Sequence, residues 1–188
     1  VVLLPAATHA QSVRIARVGI LSAGPPPPPN APVSPNMEAL LRGLRELGWI
    51  EGQNIAFEYR YAAWQVERLA DLAGELVRAN VDVIFTGGYR PIMAARDATR
   101  SIPIVVSSCD PVETRIGSLA RPGGNVTGST CLSAELSPKK LQLLKETVPG
   151  ATRIAVLFNP DDPGPTLGMK LMDEAAPRLQ VKLQSVSV

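Results

Sequence analysis

The sequence has few of the side chains that catalysis and nucleic-acid recognition depend on. Its 188 residues include one histidine, His9, and two cysteines, Cys109 and Cys131. A zinc site of the His/Cys type needs about three or four such ligands, so it is nearly excluded. A Ser-His-Asp triad would have to use His9, which falls in a stretch expected to be removed. Aromatic residues make up only 4 % of the chain, so stacked bases find few platforms. Neither sign of charge dominates: 19 basic residues stand against 17 acidic ones, and they alternate rather than cluster. The electrostatic footprint of a nucleic-acid binder is missing. No run approaches the ~20 apolar residues of a membrane span.

Enzymatic signatures are missing as well. There is no Gly-x-x-x-x-Gly-Lys-Ser/Thr phosphate loop and no Gly-x-Ser-x-Gly elbow. Gly19 and Gly24 after the first strand do not make Gly-x-Gly-x-x-Gly, which disfavours a dinucleotide fold. Asn125-Val126-Thr127 matches a glycosylation sequon, but in a turn of this kind a chance match is the simpler reading.

What is present is an orderly alternation of strand and helix. The segment 1–12 is an apolar run followed by small residues at Thr8 and Ala10, and it reads as the back half of a secretory signal peptide. Strands are expected at Arg17–Ser22, Ile55–Tyr59, Val81–Thr86, Ile102–Ser107 and Val126–Gly128. Helical spacing marks Met37 to Leu47, with Ser34 or Asn36 as cap, then Val66 to Val77 and Pro91 to Thr99. A short helix carries Ile116 and Leu119. Five prolines, Pro25–Pro29, form a stiff loop that cannot donate backbone hydrogen bonds. After Ser133 the pattern restarts: a helix capped by Ser137-Pro138, a strand at Arg153–Phe158, a helix from Thr166 to Ala176 and a strand at Val181–Val188.

Buried, non-alternating strands separated by helices indicate an α/β fold, a parallel sheet flanked by helices on both faces. Residues 13–129 make one complete lobe and 130–188 the start of a second. A two-stranded second sheet buries itself poorly, which suggests that this lobe is incomplete.

In open parallel sheets, ligands bind beyond the carboxyl ends of the strands. Those ends carry Ser22, Ala23 and Gly24; Thr86, Gly87, Gly88 and Tyr89; Ser107, Ser108, Cys109 and Asp110; and, in the second lobe, Asn159 and Asp161. Small residues let a ligand approach backbone N–H groups at helix N-termini, where the partial positive charge favours a carboxylate or phosphate. Strand-to-helix turns also need Gly, Ser and Asp for their own geometry, so both roles stay open. Cys109 and Cys131 fall near the ends of neighbouring strands, as a disulfide or as two buried thiols.

Several segments resemble the substrate-binding proteins of ABC transporters, in the branch that includes tryptophan and other aromatic amino-acid binders. They are Arg17–Ser22, Leu41-Arg-Gly-Leu-Arg-Glu-Leu-Gly-Trp-Ile-Glu-Gly-Gln-Asn-Ile55, Glu58–Arg60, Val81–Thr86, Ile102–Val105, Asp110–Val112, Ser118-Leu-Ala-Arg-Pro-Gly-Gly-Asn-Val-Thr-Gly128, Leu141–Pro149 and Ala155–Pro160. The resemblance covers about residues 14–188. It implies a class I periplasmic-binding fold, in which two lobes close over a small ligand and deliver it to a membrane permease. Family ligand contacts map onto Ser22, Gly24, Thr86, Gly87, Gly88, Tyr89, Ser108, Asp110 and Asn159. The chain departs from the family after Asp110-Pro-Val, where Glu113, Thr114 and Arg115 follow, and in the run Pro25–Pro29.

The expectation is therefore an exported, non-catalytic solute-binding component of an ABC importer. It takes an amino acid or related carboxylate, needs no cofactor and is monomeric at full length. A ligand-sensing module of the same fold is the alternative, and a flavodoxin-like enzyme is a more distant one.

Overall fold

The computed structural model describes residues 14–108, 124–129, 133–160 and 163–187. Seven strands run β1 (Ala16–Ser22), β2 (Ile55–Tyr61), β3 (Val83–Thr86), β4 (Ile104–Ser107), β5 (Val126–Ser129), β6 (Arg153–Phe158) and β7 (Lys182–Ser187). Five α-helices are described: α1 (Pro35–Glu46), α2 (Leu69–Arg78), α3 (Tyr89–Ala98), α4 (Ser137–Thr147) and α5 (Pro163–Ala175). The expected helix around Ile116 and Leu119 lies outside the described residues, as do Cys109, Cys131, Asp110 and Asp161.

The first sheet has the order β2-β1-β3-β4-β5 and every neighbouring pair is parallel. Its two faces follow from the period-two alternation of side chains. One face carries Leu21, Ile84, Ile104, Val106 and Val126, all buried beneath Leu69, Leu72, Ala73 and Leu76 of α2 and Ile92 and Ala95 of α3. The other carries Val18, Ile20 and Ile55 with half-buried Phe57, Tyr59, Val83 and Phe85, against Met37 and Leu44 of α1. The cover differs sharply: α2 buries four residues, whereas α1 buries none. The principal core therefore lies on the α2/α3 side.

Local chemistry explains the helix ends. Ser34 caps α1, its Oγ accepting from Met37 N at 3.4 Å, with Pro35 in the first turn, where a missing N–H costs nothing. The second helix differs from expectation. Val66–Arg68 is a 3-10 turn, and the α-helix proper begins at Leu69, the first residue that reaches the core. Ser137 is likewise not a cap. It is the first residue of α4, and its hydroxyl donates to Ser133 O at 3.2 Å. The helix expected from Thr166 starts earlier, at Pro163, and closes with a 3-10 turn over Ala176–Leu179.

In the second sheet β6 pairs parallel with β7. Leu141, Ala176 and Val181 form its small core, joined by Ile154, Met172 and Leu183. Leu157 at the strand's carboxyl end stays 66 % exposed.

Candidate functional site

The order β2-β1-β3-β4-β5 reverses direction between β1 and β3. Successive helices there leave toward opposite faces, and a crevice opens at the carboxyl ends of those two strands. The pairings set what lines that edge. Ser22 of β1 lies opposite Tyr61 of β2, Leu21 opposite Thr86 of β3, Thr86 opposite Val106 of β4, and Ser107 opposite Ser129 of β5. One step past β3, Gly87 lies tight against the backbone of Ser107. A Cβ at Gly87 would lie 2.5 Å from Ser107 O, so only glycine fits. Tyr61, Ser22, Gly87, Ser107 and Ser129 thus form a row across the carboxyl edge.

Each expected residue within the described range has a definite place, and Asp110 lies outside it. Ser22 is half-buried and its Oγ accepts from Gly24 N at 3.2 Å, which turns the chain out of β1. Thr86 is 1 % exposed, and its Oγ1 donates to Leu21 O at 2.9 Å. That hydroxyl is engaged inside the sheet, so the edge receives only what the Thr86 backbone offers. Gly88 is the N-cap of α3 at φ +83°, a left-handed conformation that favours glycine, and among the described residues no side chain caps the helix. The positive end of α3 therefore opens at the carboxyl edge, with Tyr89 half-buried in its first turn. Ser108 follows β4, and its N–H donates to Ser129 O at 3.2 Å. Asn159 is exposed directly after β6 in the second lobe. Ser22, Gly24, Gly87, Gly88, Tyr89 and Ser108 are thus gathered at one edge of the first sheet.

Three residues at this edge were not expected from the sequence: Tyr61, Ser129 and Trp64. Strand β2 extends two residues further than the expected Tyr59, and alternation through Phe57, Tyr59 and Tyr61 is the signal that would have shown it. The Tyr59 and Tyr61 rings are parallel within 1°, with centroids 6.0 Å apart. Burial pushes both phenols above their ordinary pKa. Trp64 has no sequence signal of its own. The segment that carries it is bound to the loop after β1. Ala62 N donates to Ser22 O at 2.9 Å, Ala63 N to Gly24 O at 3.1 Å and Trp64 N to Ala23 O at 2.7 Å.

The second lobe has a cavity of about 270 Å³ at the carboxyl end of β6, lined by Ser133, Ser137, Lys140, Phe158, Gly168 and Met172 among others. Lys140 Nζ reaches Ser133 O at 3.4 Å and Ser133 Oγ at 3.5 Å across its rim. Asn125 of the sequon is half-buried, and its side-chain nitrogen donates to Thr99 O at 3.1 Å and Ile102 O at 2.8 Å. The amide is held by the loop that feeds β4. No group of three His, Cys, Asp or Glu side chains among the described residues is placed to hold a metal ion. Nor is any described helix long and apolar enough to cross a membrane.

With this edge in view, comparison with known proteins is decisive. The family model for ABC transporter substrate binding proteins matches residues 34–188. This chain belongs to that family. A curated relative, the tyrosine-binding protein of Clostridioides difficile, is 33 % identical over 125 residues, covering 65 % of this chain and 35 % of its own. The crystal structure of a conserved domain protein from Vibrio cholerae superposes with a TM-score of 0.80 at 29 % identity, over 93 % of this chain and 58 % of that one. A Streptococcus pneumonia ABC domain in complex with L-Trp has a TM-score of 0.77 at 18 % identity, over 93 % of this chain and 57 % of that one, which speaks for the fold. The chain thus spans about a third of the tyrosine-binding relative and somewhat more than half of these solved structures. The parallel α/β architecture of the periplasmic-binding type, expected from the sequence, is the fold of this substrate-binding protein.

Proposed function

We propose that this protein is the extracytoplasmic solute-binding component of an ABC importer, and that it captures an amino acid or a related small carboxylate. The observation that carries the reading is the switch point between β1 and β3, where Ser22, Gly88 and the uncapped start of α3 converge. Backbone N–H groups at a helix start and neutral hydroxyls suit a carboxylate head. Ser22, Gly24, Gly88 and Tyr89 contact the ligand, together with Ser108 and Asp110. Gly87 and Thr86 shape the edge from within. Asn159 contributes from the second lobe, and lobe closure selects the bound state by its greater affinity for ligand. The loaded protein then docks on the permease subunits of the transporter. Family membership supports the transport role, and the tyrosine-binding relative supports the ligand class.

The test is a thermal-shift panel on the intact protein with amino acids, purines, short organic acids and sugars. A ligand that binds only the native state raises Tm with concentration, as RT ln(1 + [L]/Kd). The proposal expects a graded shift with at least one amino acid, recovered chemically unchanged. A shift confined to sugars or purines contradicts the ligand class, and conversion of the bound compound contradicts the capture mechanism.

A further inference from the structure

Trp64 combines three properties that are costly together. Its backbone is left-handed at φ +66°, and so is that of the preceding Ala63 at φ +52°. Such a conformation is uncommon for any residue other than glycine and is a genuine outlier for a bulky one. The indole is also 73 % exposed to water. It is nevertheless not loose, because the three consecutive N–H groups of Ala62, Ala63 and Trp64 are all bound to carbonyls of residues 22–24. Strain of this kind persists only where the surroundings enforce it, and it collects at ligand clamps.

The enforced conformation determines where the ring goes. A Cβ built on Gly24 would lie 3.5 Å from Trp64 Cη2 and Cζ2, and 3.7 Å from Ser22 Oγ. The indole therefore lies against the glycine of the β1 loop, beside the hydroxyl at the switch point. The stiff run Pro25–Pro29 follows directly, so the loop under the ring has little freedom to fold away. Tyr61 lies in register with that serine, three residues before Trp64. A flat ring held beside a residue with no side chain makes a flat wall rather than a rounded pocket.

We propose that Trp64 is the aromatic wall of the ligand site and the residue that sets its preference for a flat ring side chain over a branched aliphatic one. This rests on the amino-acid reading above and names the residue that sets specificity within it. The ligand's head group meets the edge at Ser22 and the start of α3, and its ring lies on the indole. Offset ring stacking accounts for selectivity of about tenfold over an aliphatic side chain of similar size.

The experiment uses the protein carrying Trp49→Phe, so that Trp64 is the one tryptophan emitter within these 188 residues, and any tryptophan outside them is likewise replaced by phenylalanine. Trp49 precedes β2 at the opposite, amino end of the sheet. L-tyrosine, L-phenylalanine and L-leucine are titrated, with binding followed independently by calorimetry. The expected result is a blue shift of Trp64 emission and protection from acrylamide on binding tyrosine or phenylalanine. Trp64→Asn, which tolerates the left-handed backbone, lowers affinity for those two about tenfold and for leucine less than about twofold. Calorimetric binding of tyrosine or phenylalanine with unchanged Trp64 emission and quenching overturns the inference while leaving amino-acid capture intact. An equal loss for all three ligands in Trp64→Asn also overturns it. No calorimetric binding of any amino acid overturns the amino-acid reading, and this inference with it.

Discussion

Thr86 Oγ1 donates a 2.9 Å hydrogen bond to Leu21 O, joining the carboxyl ends of β3 and β1 at the switch point. The pair is buried, with Thr86 1 % and Leu21 2 % exposed. Replacing Thr86 by valine keeps the shape and removes the donor. A buried carbonyl that loses a partner costs about 1–3 kcal/mol. Thr86→Val should therefore lower the unfolding free energy read from a urea titration by that amount and leave the affinity for ligand within about twofold. Unchanged stability with a collapse of affinity would show that the hydroxyl turns toward the ligand instead.

Gly87 is the next test of the same edge. Its missing Cβ would sit 2.5 Å from Ser107 O, a backbone atom that moves only if β4 moves. Gly87→Ala should destabilise the protein by about 1–3 kcal/mol, as overpacking does, and should weaken ligand binding by displacing the β4 end. Equilibrium unfolding and a binding titration on the same sample measure both. Wild-type stability in this variant would mean that the close approach is not required.

Ala63 tests the strain without touching the indole. At φ +52° an alanine carries a left-handed cost of about 1–2 kcal/mol that glycine avoids, offset in part by glycine's greater unfolded-state entropy. Ala63→Gly should leave stability unchanged or raise it by up to about 1 kcal/mol, and it should relax the Trp64 platform. Fluorescence anisotropy of Trp64 in the Trp49→Phe background should fall. A variant destabilised by more than about 1 kcal/mol would show that no strain is stored at this position.

Acid should weaken the first lobe through Glu58. Arg17 Nη2 donates to Glu58 Oε1 at 2.8 Å, and Arg60 Nη1 stands 3.6 Å from Oε2. The hydrogen bond from Arg17, followed by the nearby charges of Arg17 and Arg60, holds the carboxyl below its ordinary pKa. A carboxylate whose pKa is lower folded than unfolded contributes stability above the unfolded pKa. The contribution is lost as the pH falls through the folded value. The stability gap between wild type and Glu58→Gln should be largest near neutrality and shrink below the ordinary carboxylate range. A gap independent of pH would contradict this role.

Much of the first lobe was legible because its signals are local. The run through Val18–Leu21 has no alternation, and both faces are in fact occupied. Ser34-Pro35 has the chemistry of a helix start and is one. Errors fell where tertiary packing decided. Val66 fits the helical spacing of Leu69, Ala73 and Leu76, yet it is 43 % exposed, and the chain winds into an α-helix only where Leu69 meets the sheet. Within the edge, glycines and serines announce themselves by composition. Whether Thr86 faces the ligand or the core is set by pairing register, which composition does not carry. Trp64 was illegible for a related reason: nothing in Ala62-Ala63-Trp64-Gln65 resembles a turn, and its conformation is imposed by residues 22–24, some forty positions earlier.

The central claim is that ligand is held at the carboxyl edge of the first sheet, at the β1/β3 switch point. Amide hydrogen exchange on the intact protein, with and without saturating L-tyrosine, tests it residue by residue. The account predicts slower exchange at Ala23–Gly24, Gly88–Tyr89 and Ser108, with no change at the opposite edge around Asn54 and Asp82. Binding accompanied by protection at the amino edge, or by none at the carboxyl edge, would contradict it.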